Sequence, residues 1–161
     1  MTDSPNYTCY VGALGWEHED WIGNFYPDDL PADWRLTYYN NFFTCCYLHY
    51  AAWGPQPEAT LAQWLADTLP GFRLVLEMPA SLSAADRSRL EILAPRTGLT
   101  DSAAALQAAC MWLPAAPDWR TLSAQIQQCA QTPGMPCYLI SQTQTVADLQ
   151  QAVTLLEILG Y

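Results

Sequence analysis

Short apolar segments alternate with longer amphipathic segments along most of the chain. The apolar segments are rich in aromatic, β-branched or cysteine residues and are bounded by glycine, proline or polar pairs, which is typical of buried strands. They cover residues 8–14, 42–50, 72–78, 110–114 and 135–140. Strands that alternate with helices at this spacing predict right-handed βαβ units and a parallel sheet, that is, an α/β fold.

Apolar residues that recur every three or four positions predict the helices between these strands. The predicted helices cover residues 32–41, 58–69, 83–93, 119–131 and 145–159. Ser83 is a candidate N-cap, with Asp86 at the capping-box position. Residues 97–114 are ambiguous. Asp101 could cap a helix that ends before a short strand CMWLP, but residues 103–111 could also form one continuous helix.

Length and composition predict one domain over residues 1–161. The 161 residues are 51% hydrophobic, which is enough for a single core. No apolar run approaches the roughly 18 residues that a membrane span requires. The first residues lack the basic and apolar regions of a signal peptide. We therefore expect a cytoplasmic protein with no membrane partner.

The charge balance bears on partners and chemistry. The chain has sixteen acidic residues, six arginines and no lysine, and its formal net charge is -10. Such an acidic surface repels phosphate backbones, so we expect no nucleic-acid partner. The absence of lysine excludes Schiff-base chemistry.

The six cysteines show no CxxC spacing, and we interpret them as reduced, mostly buried thiols. Cys45, Cys46 and His49 could form a thiolate nucleophile or a soft metal site. On a strand, however, Cys45 and Cys46 face opposite sides. Buried structural thiols are therefore the favoured interpretation.

The densest set of polar candidates follows the first predicted strand. Glu17, His18, Glu19 and Asp20 could act in acid–base or metal chemistry, because barrel enzymes place such residues in loops after strands. Adjacent side chains diverge, however, and a metal needs several converging ligands. The alternative is a solvated loop in which Asp20 caps the next turn. We predict no metal site and no cofactor.

Aromatic residues and one acid form the second group of candidates. In a barrel, four tryptophans would gather near the carboxyl ends of the strands, where they could line a ligand pocket or plug the core: Trp16, Trp21, Trp53 and Trp112. Glu77 ends a buried strand and should be paired or shifted in pKa if it is enclosed. Candidate partners are Arg73, Arg35 and Arg96.

The opening stretch resembles domain-of-unknown-function family 72, the YecE-like proteins. Members of that family begin with a strand of the type G-T-S-G-W, followed by D-W and then F-Y-P. The matching residues here are Gly12, Gly15, Trp16, Asp20, Trp21, Gly23, Phe25, Tyr26 and Pro27, with later landmarks at residues 70–73 and 112–114.

The resemblance implies a TIM-type barrel, which typically takes about 250 residues. This chain has room for about five strands, so we expect a shortened or partial TIM-type barrel of parallel strands alternating with helices. An open parallel sheet exposes its edges, and homodimerisation would be a natural remedy.

Several polar positions of the family are replaced here. The family usually carries Glu and Asn on its second strand, pointing into the barrel mouth, and the corresponding positions are Cys46 and Leu48. Glu77 stands where the family commonly has Lys. Because Cys46 occupies a family position that points into the barrel mouth, it is also a candidate ligand-binding residue.

These departures leave open whether the protein is an enzyme. The first hypothesis is a non-catalytic or degenerate family member that binds a small molecule or self-associates. The alternative is a metal-assisted or general-acid hydrolase with a rearranged site, for which the candidates are Glu17, His18, Asp20 and Glu77. A third possibility is a subunit that completes its barrel against another protein.

Overall fold

Five parallel strands form one sheet in the computed structural model, which describes residues 9–97, 110–131 and 136–161. The strands are β1 (Cys9–Leu14), β2 (Cys45–Leu48), β3 (Arg73–Leu76), β4 (Cys110–Leu113) and β5 (Cys137–Ser141). All four strand pairs are parallel, as the alternating pattern predicts. The predicted α/β class is therefore confirmed.

Helices lie between the strands. The described residues include α1 (Arg35–Tyr39), α2 (Tyr50–Trp53), α3 (Glu58–Ala66), α4 (Ala84–Leu93), α5 (Trp119–Ala130) and α6 (Val146–Leu159). Three 3₁₀ turns cover Glu19–Trp21, Ala32–Trp34 and Ala94–Arg96. None of the helices described is long and apolar enough to cross a membrane.

Most predicted elements are found, but several are shorter than the pattern suggests. The predicted strand 42–50 begins only at Cys45, because the amides of Phe42 and Phe43 turn back to the Tyr39 carbonyl at 3.0 Å. The predicted capping box is confirmed, with Ser83 and Asp86 exchanging two 3.0 Å hydrogen bonds. In the ambiguous stretch 97–114, the sequence CMWL forms β4, whereas Asp101 and residues 103–109 lie outside the described residues.

The strand order indicates an incomplete barrel. In the order β3-β2-β1-β5-β4, the last strand, β5, pairs with the first strand, β1. The first and last strands also pair in a closed barrel, so the strands here follow one another in chain order around a ring. The ring is interrupted between β3 and β4, which are the edges of the sheet. This unclosed sheet is consistent with the expected partial TIM-type barrel.

Contacts across the sheet show that it is strongly curved. β2 and β4 are three strand intervals apart, which would be about 14 Å in a flat sheet. The rings of Tyr47 on β2 and Trp112 on β4 nevertheless lie 5.4 Å apart, measured between centroids. The two strands therefore face each other across a concave inner side.

The two faces of the sheet differ in what covers them. On the outer side, strand residues and helix residues form the larger core cluster. The helix residues in it include Leu61, Leu93, Ile126 and Leu149. The inner side holds a smaller cluster made of strand residues: Tyr10, Cys45, Tyr47, Val75, Tyr138 and Ile140. Tyr10 and Tyr138 stack there with ring centroids 5.0 Å apart.

A tyrosine hydroxyl bridges the two central strands. The Tyr39 hydroxyl accepts a 2.8 Å hydrogen bond from the Ala13 amide and donates a 2.7 Å bond to the Cys45 carbonyl. Tyr39 is fully buried, and its ring is stacked on that of Trp21. A Cβ atom at Gly12 would overlap the Cys45 carbonyl oxygen, so this close approach requires glycine.

We expect the substitution Tyr39→Phe to destabilise the fold by about 1–3 kcal/mol, because it leaves a buried amide and a buried carbonyl without their partner. Urea unfolding measures the loss. The matched control is Tyr38→Phe at the neighbouring, half-buried tyrosine of α1, which should change the free energy of unfolding by less than half as much. Equal effects of the two substitutions would contradict the bridging role of Tyr39.

Candidate functional site

A histidine and a glutamate meet on the inner side at the carboxyl ends of β2 and β3. Strand alternation places Cys45, Tyr47 and His49 on that side of β2. The Glu77 amide donates to the Leu48 carbonyl at 2.8 Å, so the backbone pairing extends one residue past β3. His49 and Glu77 are therefore neighbours, and His49 Nδ1 lies 3.1 Å from Glu77 Oε2.

Glu77 is held by two further contacts. Its other carboxylate oxygen accepts a 3.2 Å bond from the Tyr50 amide, and its backbone carbonyl accepts a 2.9 Å bond from the indole of Trp53. The hydrogen bond with His49 lowers the pKa of Glu77 from its ordinary value of 4.5, with smaller contributions from the Tyr50 amide and Tyr47. The carboxyl is thus ionised at neutral pH.

None of the three arginines suggested by the sequence pairs with Glu77. Arg35 forms a 2.6 Å ion pair with Glu17. Arg96 donates to Thr68 and to backbone carbonyls, and Arg73 donates to the carbonyls of residues 70 and 72. The partner is a histidine because His49 occupies the adjacent position of the paired strand.

One aromatic ring adjoins the His49–Glu77 pair, and a second ring contacts the first. The Tyr47 ring lies 5.4 Å from the His49 ring and also 5.4 Å from the Trp112 ring, measured between centroids. Burial, assisted by the charge of Glu77, raises the pKa of Tyr47 to about 12, so its hydroxyl stays protonated. Trp112 is 38% exposed and presents part of its ring to solvent. Together, Tyr47, His49, Glu77 and Trp112 are called the inner-mouth cluster below.

The loop after β1 uses its polar residues in local contacts. His18 Nε2 lies 2.7 Å from the Leu14 carbonyl and 3.2 Å from the Gly15 carbonyl, which makes this nitrogen the protonated donor. Its ring packs on Trp21, with centroids 4.3 Å apart. Asp20 lies exposed within the 3₁₀ turn Glu19–Trp21, whose N-cap is His18, and no side chain caps that turn.

A separate pocket gathers some of these loop residues. Trp16, Glu17 and His18 line a cavity of about 370 Å³ together with residues of α2, α3 and the segment between them. Trp16 also makes an edge contact with Trp64 there. In the described part of the chain, no hydrogen bond or ion pair connects Glu17, His18 or Asp20 with Glu77. The four acid–base candidates therefore do not converge on one site.

The remaining ligand-binding candidates are enclosed on the helix side. Trp21 is buried and donates to the Gln144 carbonyl at 2.9 Å, and Trp53 is buried beneath Glu77. Cys46 is also fully buried among the helix-facing residues. The expectation that Cys46 and Leu48 point into the mouth is wrong, because alternation along β2 directs Tyr47 and His49 there instead.

The chemistry available at the inner-mouth cluster is proton transfer and hydrogen bonding. Burial raises the pKa of both Cys45 and Cys46, so neither offers a thiolate. Across residues 9–97, 110–131 and 136–161, no three His, Cys, Asp or Glu side chains are arranged to hold a metal ion. A carboxylate on Nδ1 fixes the imidazole, as in many acid–base sites.

Comparison with known proteins gives one family and one fold relative. The family model described as "Protein of unknown function DUF72" matches residues 10–140. A solved structure of a DUF72 family protein from Thermotoga maritima aligns over 94% of this chain and 100% of that chain, at 12% identity and a TM-score of 0.61. Identity this low supports the fold alone. No curated protein matches the chain.

The lowered pKa of Glu77 predicts a pH dependence of stability. A carboxyl group whose pKa is lower in the folded state than in the unfolded state stabilises the fold at pH values above its unfolded-state pKa. This contribution is lost as the pH falls through the folded-state pKa. Between about pH 5 and about pH 3, the wild type should therefore lose more stability than Glu77→Gln. Because the carboxylate is 43% exposed, solvent screening keeps the difference small.

Chemical denaturation at several pH values measures this difference. Glu91→Gln is the control, since Glu91 is exposed on α4, and its pH profile should follow the wild type. A Glu77→Gln profile parallel to that of the wild type would contradict the prediction.

Proposed function

The chain belongs to the DUF72 family of proteins of unknown function, and within that family we propose that it binds a small polar molecule at the inner-mouth cluster. The observation that supports this most directly is the exposed His49–Glu77 pair next to Tyr47, whose ring contacts the partly exposed ring of Trp112. In barrels of parallel strands, ligand sites lie at the carboxyl ends.

The side chains of the cluster are available to a ligand. The His49 side chain is 57% exposed and that of Glu77 is 43% exposed, so neither is sealed into the core. Glu77 Oε2 orients the imidazole through Nδ1, which leaves Nε2 directed away from this contact. One polar pair and one aromatic surface are the usual elements that fix the orientation of a small ligand.

Charge indicates which ligands suit the site. Glu77 is ionised at neutral pH, and the chain carries a net charge of -10 without any lysine. An anionic ligand would be repelled by the Glu77 carboxylate. A neutral or cationic ligand with a flat face for Trp112 and a hydrogen-bonding group for His49 is therefore favoured.

A second candidate is general acid–base hydrolysis, which the same pair supports. The contact between Glu77 and His49 Nδ1 is the arrangement in which a carboxylate positions an imidazole that exchanges a proton through Nε2. His49 would activate water, since the buried thiols and the Tyr47 hydroxyl are held protonated. Glu77 would be the positioning residue.

The two histidines of the chain allow a direct test of binding. Imidazole NMR signals, assigned with His18→Gln and His49→Gln, would be followed while monosaccharides, nucleosides and polyamines are added. We expect a binding compound to shift the His49 signals and to leave those of His18 in place. Shifts confined to His18 would contradict the proposal and indicate the 370 Å³ pocket instead.

A tryptophan pair provides the matched control. Trp112→Ala should weaken binding of that compound about tenfold, or about 1.4 kcal/mol, because it removes the exposed aromatic surface. Trp34→Ala removes a tryptophan that is 62% exposed on another part of the protein and should have no effect. The opposite order of effects would overturn the assignment.

Native mass spectrometry of protein purified without chelator tests two expectations together, namely that the protein binds a small molecule and that it forms a dimer. A co-purified small molecule that is lost in Trp112→Ala supports binding at the cluster. The same spectrum measures subunit stoichiometry, and a dimer is the result expected if the edges β3 and β4 are completed by a second copy. A ligand-free monomer would contradict both expectations.

A further inference from the structure

A groove between residues 32–37 and helix α3 is lined by three tryptophans and three acids. Its volume is about 820 Å³. The aromatic residues are Trp16, Trp34 and Trp64, and the acidic residues are Glu17, Asp33 and Asp67. Its described lining includes none of the four residues of the inner-mouth cluster. This tryptophan groove is therefore a separate surface, which the proposed function does not use.

Helix α3 contributes one of its sides to the tryptophan groove. The groove residues of α3 and its C-cap recur three or four positions apart and so share that side: Thr60, Gln63, Trp64 and Asp67. Leu61, on a different side of the helix, is fully buried in the core. The helix is thus anchored by its apolar residues while an indole and a carboxylate face the groove.

The three indoles lie in more than one plane. The rings of Trp16 and Trp64 are 5.0 Å apart between centroids, and their planes meet at 89°. Trp16 is buried and Trp64 is half-buried, so packing fixes this pair. Trp34 is 62% exposed and adds a third, accessible ring. Aromatic surfaces at a right angle suit a rounded ligand better than a flat one.

The charge of the tryptophan groove is negative. Glu17 forms a 2.6 Å ion pair with Arg35, so these two charges offset each other. In the described part of the chain, no ion pair involves Asp33 or Asp67. Asp67 accepts a 2.8 Å hydrogen bond from Gln63, but an amide neutralises no charge. Two carboxylates therefore remain to attract a cation.

We propose that the tryptophan groove binds a quaternary ammonium ion. The methyl groups of such an ion pack against indole rings, and its positive charge is attracted both by the rings and by the carboxylates of Asp33 and Asp67. Indole side chains offer no hydrogen-bond acceptor. A primary ammonium ion would therefore lose hydration at these walls without replacement, whereas a quaternary ion has no N–H group to satisfy.

Three small compounds separate the effect of charge from that of shape. Choline carries the quaternary ammonium, its uncharged analogue has carbon in place of nitrogen, and ethanolamine carries a primary ammonium. NMR titration of the indole N–H signals measures each dissociation constant. We expect choline to bind about fivefold more tightly than the other two compounds. Equal binding of the uncharged analogue, equal or tighter binding of ethanolamine, or no measurable binding of choline would each overturn the proposal.

Variants of exposed residues locate the site without disturbing the core. Trp34→Ala should weaken choline binding about fivefold, and Asp33→Asn about twofold. Glu157→Gln is the control, since it removes the same charge from an exposed position on α6, and it should not change the dissociation constant. Unfolding midpoints verify that each variant is folded. Wild-type affinity in Trp34→Ala, or an equal loss in Glu157→Gln, would contradict the assignment.

The histidine signals distinguish this inference from the proposed function. Choline bound in the tryptophan groove should leave the imidazole signals of His49 in place, because His49 does not line it. A choline-induced shift of His49 would locate the cation at the inner-mouth cluster and overturn the groove assignment, while leaving the proposed function intact.

Discussion

The Tyr39 hydroxyl lies where β1 and β2 would otherwise bond directly, and it accepts a hydrogen bond from the Ala13 amide of β1 and donates one to the Cys45 carbonyl of β2. β1 is the central strand of the sheet, so the position of the remaining strands depends on this junction. The ring that carries the hydroxyl packs against Trp21, Phe43 and Phe72, which connects the loop after β1 with the strands. Glycine at position 12 leaves the space that the bridge needs.

The strands could be predicted from the sequence because each apolar run is bounded by residues that end strands. Their limits were less accurate, since local hydrogen bonds decide them. Phe42 and Phe43 have strand-like side chains, yet their amides complete the turn that follows α1. The curvature of the sheet could not be read from any local pattern, because it is expressed in contacts between distant strands such as that of Tyr47 with Trp112.

The candidate site could likewise be predicted from the sequence only in part. Glu77 could be singled out from the sequence as an acid at the end of a buried strand. Its partner His49 could not be assigned to it, because that requires the register between β2 and β3. The density of acids after β1 favours a site there, but consecutive side chains diverge, and Glu17 forms an ion pair with Arg35 of α1. The assignment of Cys46 to the barrel mouth is wrong, because Cys46 lies on the helix-facing side of β2 and not on the inner side of the sheet.

The pairing of β1 with β5 also constrains how the protein can fold as it is synthesised. Gln144, just after β5, binds the amide of Leu14 at the end of β1 across a sequence separation of 130 residues. One side of the central strand therefore stays open on the ribosome until nearly all of the described chain has emerged. Long-range pairing of this kind slows folding, so the edge of β1 that pairs with β5 stays unpaired for longer than the edges of a locally paired fold would.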